Sequence, residues 1–301
     1  MQTIQIGQSD LNSSRLVYGC MRIAGDGSKG DRNRGKDALR AALDHGYTLF
    51  DHADIYGDGA CEEVFGELLR ESPGLREQVV ILGKCGVRLW GVDVNHYNLS
   101  RAHILASVEG SLQRLHVEQL DVLLLHRPDL LADLHEIAET FELLHESGKV
   151  AEFGVSNFSP ATFIALQSLT DRRLQVNQVE INIHNIDALS NGTLDKCQAE
   201  SITPQAWCPI AGIAYEAWGN TFTPDQAVRV HTEVNRQAEA YGVEGWQIAL
   251  AWLLRHPAGI SPLIGSTTPS RIAAAPRALD IDYAREDWYR LLEARNGAPV
   301  P

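Results

Sequence analysis

The feature that most constrains this chain is a recurrence. Short apolar runs alternate with helix-like segments along almost its whole length. Val17-Tyr18 precedes a helix expected at roughly 33–45, and Leu49-Phe50 precedes one near 61–71. "VVILGK" (79–84) precedes 101–115, "DVLLLH" (121–126) precedes 133–147, and "KVAEFGVS" (149–156) precedes 160–169. "QVNQVEI" (175–181) leads to a short helix near 193–199, "TPQAWCP" (203–209) to 224–241, and "SPLIGS" (261–266) to a single turn of helix. The runs are apolar throughout rather than alternating, as in parallel strands covered on both faces. Eight β-α units in 301 residues predict an α/β fold, a (β/α)8 TIM barrel. "TIQIG" with "SSRL" predicts a short N-terminal hairpin at the barrel bottom, and 245–255 and 285–295 predict extra C-terminal helices. No linker or low-complexity tract interrupts the pattern, so residues 1–301 read as a single barrel domain.

A competing motif sits in "GDGSKG". Gly25, Gly27 and Gly30 match G-x-G-x-x-G, with a strand before and a helix after. The fingerprint needs its turn directly after the strand, yet five residues separate Gly19 from Gly25. The following "DRNRGKDALR" is highly charged where the third glycine should pack on the sheet. These departures, with a number of β-α units that suits a barrel better than a six-stranded sheet, count against a Rossmann dinucleotide fold.

In such a barrel, reactive groups gather at the C-terminal ends of the strands. Those ends carry Asp51, Lys84, His126, Ser156-Asn157, Gln178, Trp207 and Gly265-Ser266, and Tyr56 lies just past the second strand. A lysine ending a buried run needs a carboxylate partner, and Asp51 on the neighbouring strand is the natural one. That pair alone is compatible with a purely structural role. Tyr56 alters the reading, because a phenol beside Lys84 is expected to have its pKa pulled below 10 and to donate a proton. His126 can then orient a substrate oxygen or relay a proton. Asp51, Tyr56, Lys84 and His126 thus form a metal-free set suited to polarising and protonating a carbonyl.

A metal centre fits less well. Asp51 and His52 are strand neighbours and point to opposite faces, and His126 lacks a second histidine at ligand spacing. His52 reads as a packed residue, and His116, His135, His145 and His231 as solvated helical ones.

The charge balance bounds the partners. The net charge of −13 repels nucleic acid, and no basic patch relieves it. No apolar run approaches the ~20 residues of a membrane span. The start of the chain shows no secretion signal. Five cysteines without a C-x-x-C favour a reducing, cytoplasmic setting.

The blocks "DHADIYG", "ILGKCG", "LLLHRPD", "GKVAEFGVSNF", "NQVEI", "AWCPIAG" and "LIGSTTPSRI" occur in order over nearly the whole chain. Together they resemble the signature blocks of the aldo-keto reductase superfamily, and are similar to its bacterial YdhF-type oxidoreductase branch. The resemblance implies that Tyr56 is the general acid, Lys84 tunes it, Asp51 holds Lys84, and His126 positions the carbonyl. It implies NADPH as hydride donor, with NADH possible. Ser156, Asn157 and Gln178 would bind the carboxamide, and Trp207 would stack on the nicotinamide. Gly19, Met21 and Asp51 would also contact the cofactor, and Cys208, Pro209, Ile210 and Gly212 would line the pyrophosphate path. Ile264, Gly265, Ser266, Thr267, Thr268 and Arg271 would hold the adenosine phosphate end. Three positions depart from the pattern: Gly265 stands where a lysine is common, and Ala274 and Ala275 stand where Glu and Asn often contact adenine. Arg271 still suits a 2′-phosphate through its fork.

The implied partner is a small carbonyl compound. Candidate pocket walls are Met21, Arg22, Trp90, His96, Tyr97 and Trp218, with Arg22 either a carboxylate anchor or a surface ion pair. The competing class is a nicotinamide-nucleotide-binding regulatory module with little turnover, which steady turnover on an aldehyde would exclude. Oligomeric state has no signature in the sequence.

Overall fold

The computed structural model describes residues 1–89, 91–216 and 222–301. Trp90 and Trp218 lie outside the described residues.

Eight strands close into a parallel barrel. A two-stranded antiparallel hairpin, β1 (Thr3–Gln5) and β2 (Asn12–Ser14), precedes it. In chain order the barrel strands and following helices begin with β3 (Val17–Gly19), α1 (Lys29–Asp44), β4 (Leu49–Asp51) and α2 (Ala60–Glu71). Next come β5 (Val80–Cys85), a small hairpin of β6 (Val87–Arg88) and β7 (His96–Tyr97), and α3 (Arg101–Leu115). The wall continues with β8 (Leu120–Leu125), α4 (Leu134–Glu146), β9 (Val150–Ser156), α5 (Pro160–Gln167), β10 (Leu174–Glu180) and α6 (Thr193–Ala199). It closes with β11 (Thr203–Trp207), α7 (Pro224–Tyr241), α8 (Gly245–Leu254), β12 (Ser261–Ile264), α9 (Pro269–Ala274) and α10 (Arg285–Asn296). Strand β12 pairs in parallel with β3, which seals the barrel.

The all-apolar strands divide their side chains between two cores, as alternation of Cβ direction requires. Val17, Leu49, Val80, Leu82, Val122, Leu124, Val176 and Leu263 form an inner cluster. Ile6, from the turn of the N-terminal hairpin, is fully buried in that cluster. The hairpin therefore plugs the barrel bottom, as its position in the sequence suggested. The other face of each strand packs on helices, where Phe141 and Phe153 stack at 4.3 Å between α4 and β9.

The two late helices also form. Trp252 of α8 and Trp288 of α10 stack with ring centroids 4.9 Å apart and planes 5° apart. Each indole donates to the other residue's carbonyl, at 3.1 and 3.0 Å. This reciprocal pair fastens the C-terminal helix to the outer layer.

One expected boundary moves. Helix α1 begins at Lys29, not near residue 33, because Ser28 caps it by accepting a hydrogen bond from the Asp31 amide. Gly30 is already helical, while Gly25 and Gly27 take positive φ in the turn before it. "GDGSKG" is thus half turn and half helix start, and none of residues 25–30 lines the site described next. The β6–β7 hairpin had no counterpart in the sequence reading, because two-residue strands carry no periodicity.

Candidate active site

The C-terminal ends of the strands meet around a cleft of about 520 Å³. At its floor, Lys84 from β5 donates to Asp51 Oδ1 of β4 at 2.5 Å and to the His52 carbonyl at 2.9 Å. Both side chains are buried, with 0% and 1% exposure. Gln178 from β10 reaches across the barrel and donates to the same Asp51 oxygen at 2.7 Å. Its second amide hydrogen goes to Gln205 Oε1 of β11 at 2.9 Å. Gln178 has therefore spent both donors, and its Oε1 is left as an acceptor facing the cleft.

Tyr56 and His126 form the wall above this floor. Their rings meet edge to face at 5.9 Å. Lys84 Nζ lies 5.0 Å from the Tyr56 ring centroid, against the ring rather than in a hydrogen bond to its hydroxyl. The expected depression of the phenol does not occur. Burial, followed by the nearby Asp51 carboxylate, holds Tyr56 well above the ordinary phenol range. The charge of Lys84 is engaged by Asp51, and burial lowers the lysine itself despite that partner. The cation that does favour ionisation of Tyr56 is Arg127. Tyr56 is accordingly a neutral phenol at physiological pH, able to give a proton but not poised to lose it.

His126 is held well below the ordinary imidazole range, by burial first and then by Lys84 and Arg127. A relay through a charged imidazole is therefore disfavoured. Its Nδ1 is buried without a hydrogen-bond partner. A proton on Nδ1 would be an unpaired buried donor, so the neutral ring keeps its proton on Nε2, from which it can donate to an oxygen in the cleft.

Two non-glycine residues at this rim take positive φ. Asn157 and Cys208, each immediately after a barrel strand, adopt φ of 61° and 50°. Asn157 donates to the His126 carbonyl at 3.3 Å and to Ser156 Oγ at 2.8 Å. Its Oδ1 accepts from Trp207 Nε1 at 2.9 Å. The Asn157 amide, expected to bind a ligand, is largely occupied with fixing Trp207. Ser156 Oγ donates to the Gln178 carbonyl at 2.8 Å.

A second cavity of about 430 Å³ continues from the first. Arg22, Pro209, Tyr215, Leu263 and Gly265 belong to the walls of both. Ile210, Ile264, Ser266, Thr267, Thr268 and Arg271 line the further part. Tyr18 donates to the Ser266 carbonyl at 3.0 Å and steadies that loop. A Cβ at Gly265 would lie 3.4 Å from a guanidinium nitrogen of Arg22, in ordinary van der Waals contact. Gly19, Met21, His96 and Tyr97 line the first cavity as expected. Gly212 lines neither; it sits in a turn at φ 83° where a Cβ would meet Phe222. Ala275 is fully buried and faces the core. Arg22 is exposed and makes no ion pair within 4 Å among the described residues, so it is no surface salt bridge.

His52 is fully buried against Phe65 at 4.7 Å, on the side opposite Asp51. Among the described residues, no group of three or more His, Cys, Asp or Glu side chains is placed to hold a metal ion.

The sequence reading missed Arg127. Its guanidinium carbon lies 5.3 Å from the Trp207 ring centroid, and it lines the same cleft as Tyr56 and His126. It stands directly after His126, one position past the strand end at which the search for reactive groups stopped. It also missed Gln205, which is polar within a strand and signals an interior hydrogen bond.

The aldo/keto reductase family model matches residues 15–296. The chain belongs to the aldo/keto reductase family. As an aldo/keto reductase it is an oxidoreductase. It is 40% identical over 307 residues to oxidoreductase YdhF of Escherichia coli, covering 100% of both chains. It is 37% identical over 307 residues to a 6-dehydroglucose reductase of Agrobacterium fabrum, again covering 100% of both. Among solved structures, an aldo/keto reductase from Klebsiella pneumoniae in complex with NADP and acetate aligns at TM-score 0.80 and 29% identity, covering 99% of this chain and 96% of that one.

Proposed function

We propose that this aldo/keto reductase works as a single barrel that reduces aldehydes or ketones to alcohols with NADPH, using Tyr56 as general acid. The observation that carries the reading is the shared cleft wall of Tyr56 and His126 over the buried Lys84–Asp51 pair. Two cavities with a common wall at Gly265 and Arg22 give one continuous extended groove. Along it, Gln178 Oε1 suits a carboxamide NH2, and the tethered Trp207 ring suits stacking on a planar heterocycle. Ser266, Thr267, Thr268 and Arg271 suit a phosphate. NADPH supplies the hydride when bound. Tyr56 gives its proton to the carbonyl oxygen, and His126 Nε2–H holds that oxygen in place. Lys84 and Asp51 fix the floor beneath the phenol. Arg271 favours the 2′-phosphate form, with NADH as a slower donor.

The test has two stages. Tryptophan fluorescence titration compares NADPH with NADH, and absorbance loss at the nicotinamide band then follows aldehyde-dependent oxidation. Tyr56→Phe should retain NADPH binding and lose at least ~100-fold in turnover, the scale of general acid catalysis. Unchanged turnover would remove Tyr56 from the mechanism, and binding without turnover on any aldehyde would favour a regulatory module.

A further inference from the structure

The catalytic cleft carries an uncommitted cation. Arg127 is half-buried, lines the same cavity as Tyr56 and His126, and makes no ion pair within 4 Å among the described residues. The residues outside that description, Trp90 and 217–221, contain no carboxylate, so none can neutralise it. Glu180 and Asp187 share an adjoining hollow with Arg127 but stay beyond ion-pair distance. The one carboxylate lining the cleft, Asp51, is already bound by Lys84 and Gln178.

The placement is built rather than incidental. Trp207 is fixed through its indole N–H to Asn157, and the Arg127 guanidinium carbon lies over that fixed ring, 5.3 Å from its centroid. A cation–π contact uses none of the guanidinium's N–H donors in a hydrogen bond to a carboxylate, so they remain for another group. In a chain of net charge −13, a half-buried unpaired guanidinium beside the catalytic pair is a local exception. A planar guanidinium fork matches a carboxylate through two parallel hydrogen bonds.

We infer that Arg127 is a specificity-determining residue that binds a carboxylate on the substrate, making carboxylate-bearing aldehydes or ketones the preferred substrate class. The inference rests on the carbonyl-reductase reading above. Arg22, also without an ion pair among the described residues, lines both cavities, whereas Arg127 lines the cleft and not the second cavity, which makes Arg127 the cation set apart from the groove assigned to the cofactor.

The test compares 4-formylbenzoate with its methyl ester, which share a reacting aldehyde and differ by one charge. The wild-type enzyme should favour the carboxylate in kcat/KM by at least ~10-fold, the scale of one charge-assisted hydrogen bond. That preference should weaken as salt rises. Arg127→Met should bring the ratio close to one, and Arg127→Lys should restore part of it. Because the readout is a ratio within each variant, a general loss of activity cancels. NADPH oxidation with the neutral ester tests the reductase reading separately. A wild-type ratio near one, or a preference that survives in Arg127→Met, would overturn the assignment of Arg127.

Discussion

Gln178 Nε2 lies 2.7 Å from Asp51 Oδ1, the same oxygen that receives Lys84 Nζ. One carboxylate oxygen thus ties β10 to β4 and β5 across the barrel axis. Removing Lys84 would strand a buried negative charge, whereas removing Gln178 would cost only neutral donors. Lys84→Met should therefore destabilise the fold by roughly 3–5 kcal/mol. Gln178→Leu should cost about 1–3 kcal/mol. Urea denaturation of the two variants checks the order, and a larger loss for Gln178→Leu would contradict the account of the floor.

The state of Tyr56 makes a prediction about rate. Burial and Asp51 raise it well above the ordinary phenol range, and burial keeps His126 neutral. In the direction of carbonyl reduction, kcat/KM should stay flat from about pH 7 to 9 and decline only in strongly alkaline solution. A pH–rate profile falling with a midpoint near 7 would mean that another group is the acid.

Two other buried groups set the dependence of stability on pH, with opposite signs. His52 is pushed down to about 3 by burial and Lys84. The unfolded chain would take up that proton first, near pH 6.5, so stability is lost as pH falls from about 6.5 toward 3. His52→Leu should remove much of this acid sensitivity, on the order of 5 kcal/mol at most. Asp54 is raised to about 6 by burial. There the folded state keeps a proton the unfolded chain has released, so stability is lost as pH rises from about 4 to 6. Asp54→Asn should abolish that loss. Thermal melts of both variants between pH 4 and 8 decide the matter, and parallel curves for wild type and variants would refute it.

Arg271 gives a prediction for the cofactor. It is exposed at the far end of the second cavity, within α9. Arg271→Ala should raise the KM for NADPH by about 10-fold, as expected for losing a charge-assisted contact, and leave that for NADH nearly unchanged. Equal effects on both nucleotides would place its role away from the 2′-phosphate.

Much of this molecule was readable from one-dimensional pattern. Eight all-apolar runs announce a parallel barrel because burial on both faces leaves no other composition for its strands. Asp51, Lys84 and His126 were identifiable because polar residues ending such runs must emerge at one rim. Proton affinities were less accessible. The expectation that Lys84 would acidify Tyr56 counted charges but could not weigh burial, which requires a three-dimensional surface. Gly212 failed for a related reason: proximity in sequence to Cys208 and Pro209 does not carry a residue around a turn. Arg127 escaped because its significance lies in having no partner, which a sequence does not display.

The mutual lock between Trp252 and Trp288 has a spectroscopic consequence. Two indoles stacked 4.9 Å apart and 5° from parallel bring their transition dipoles into exciton coupling range. Their circular dichroism should contain a couplet that belongs to the pair and vanishes when α10 leaves α8. The chain therefore carries an intrinsic optical gauge of its C-terminal helix, able to register local detachment of that helix while the barrel and its cleft remain intact.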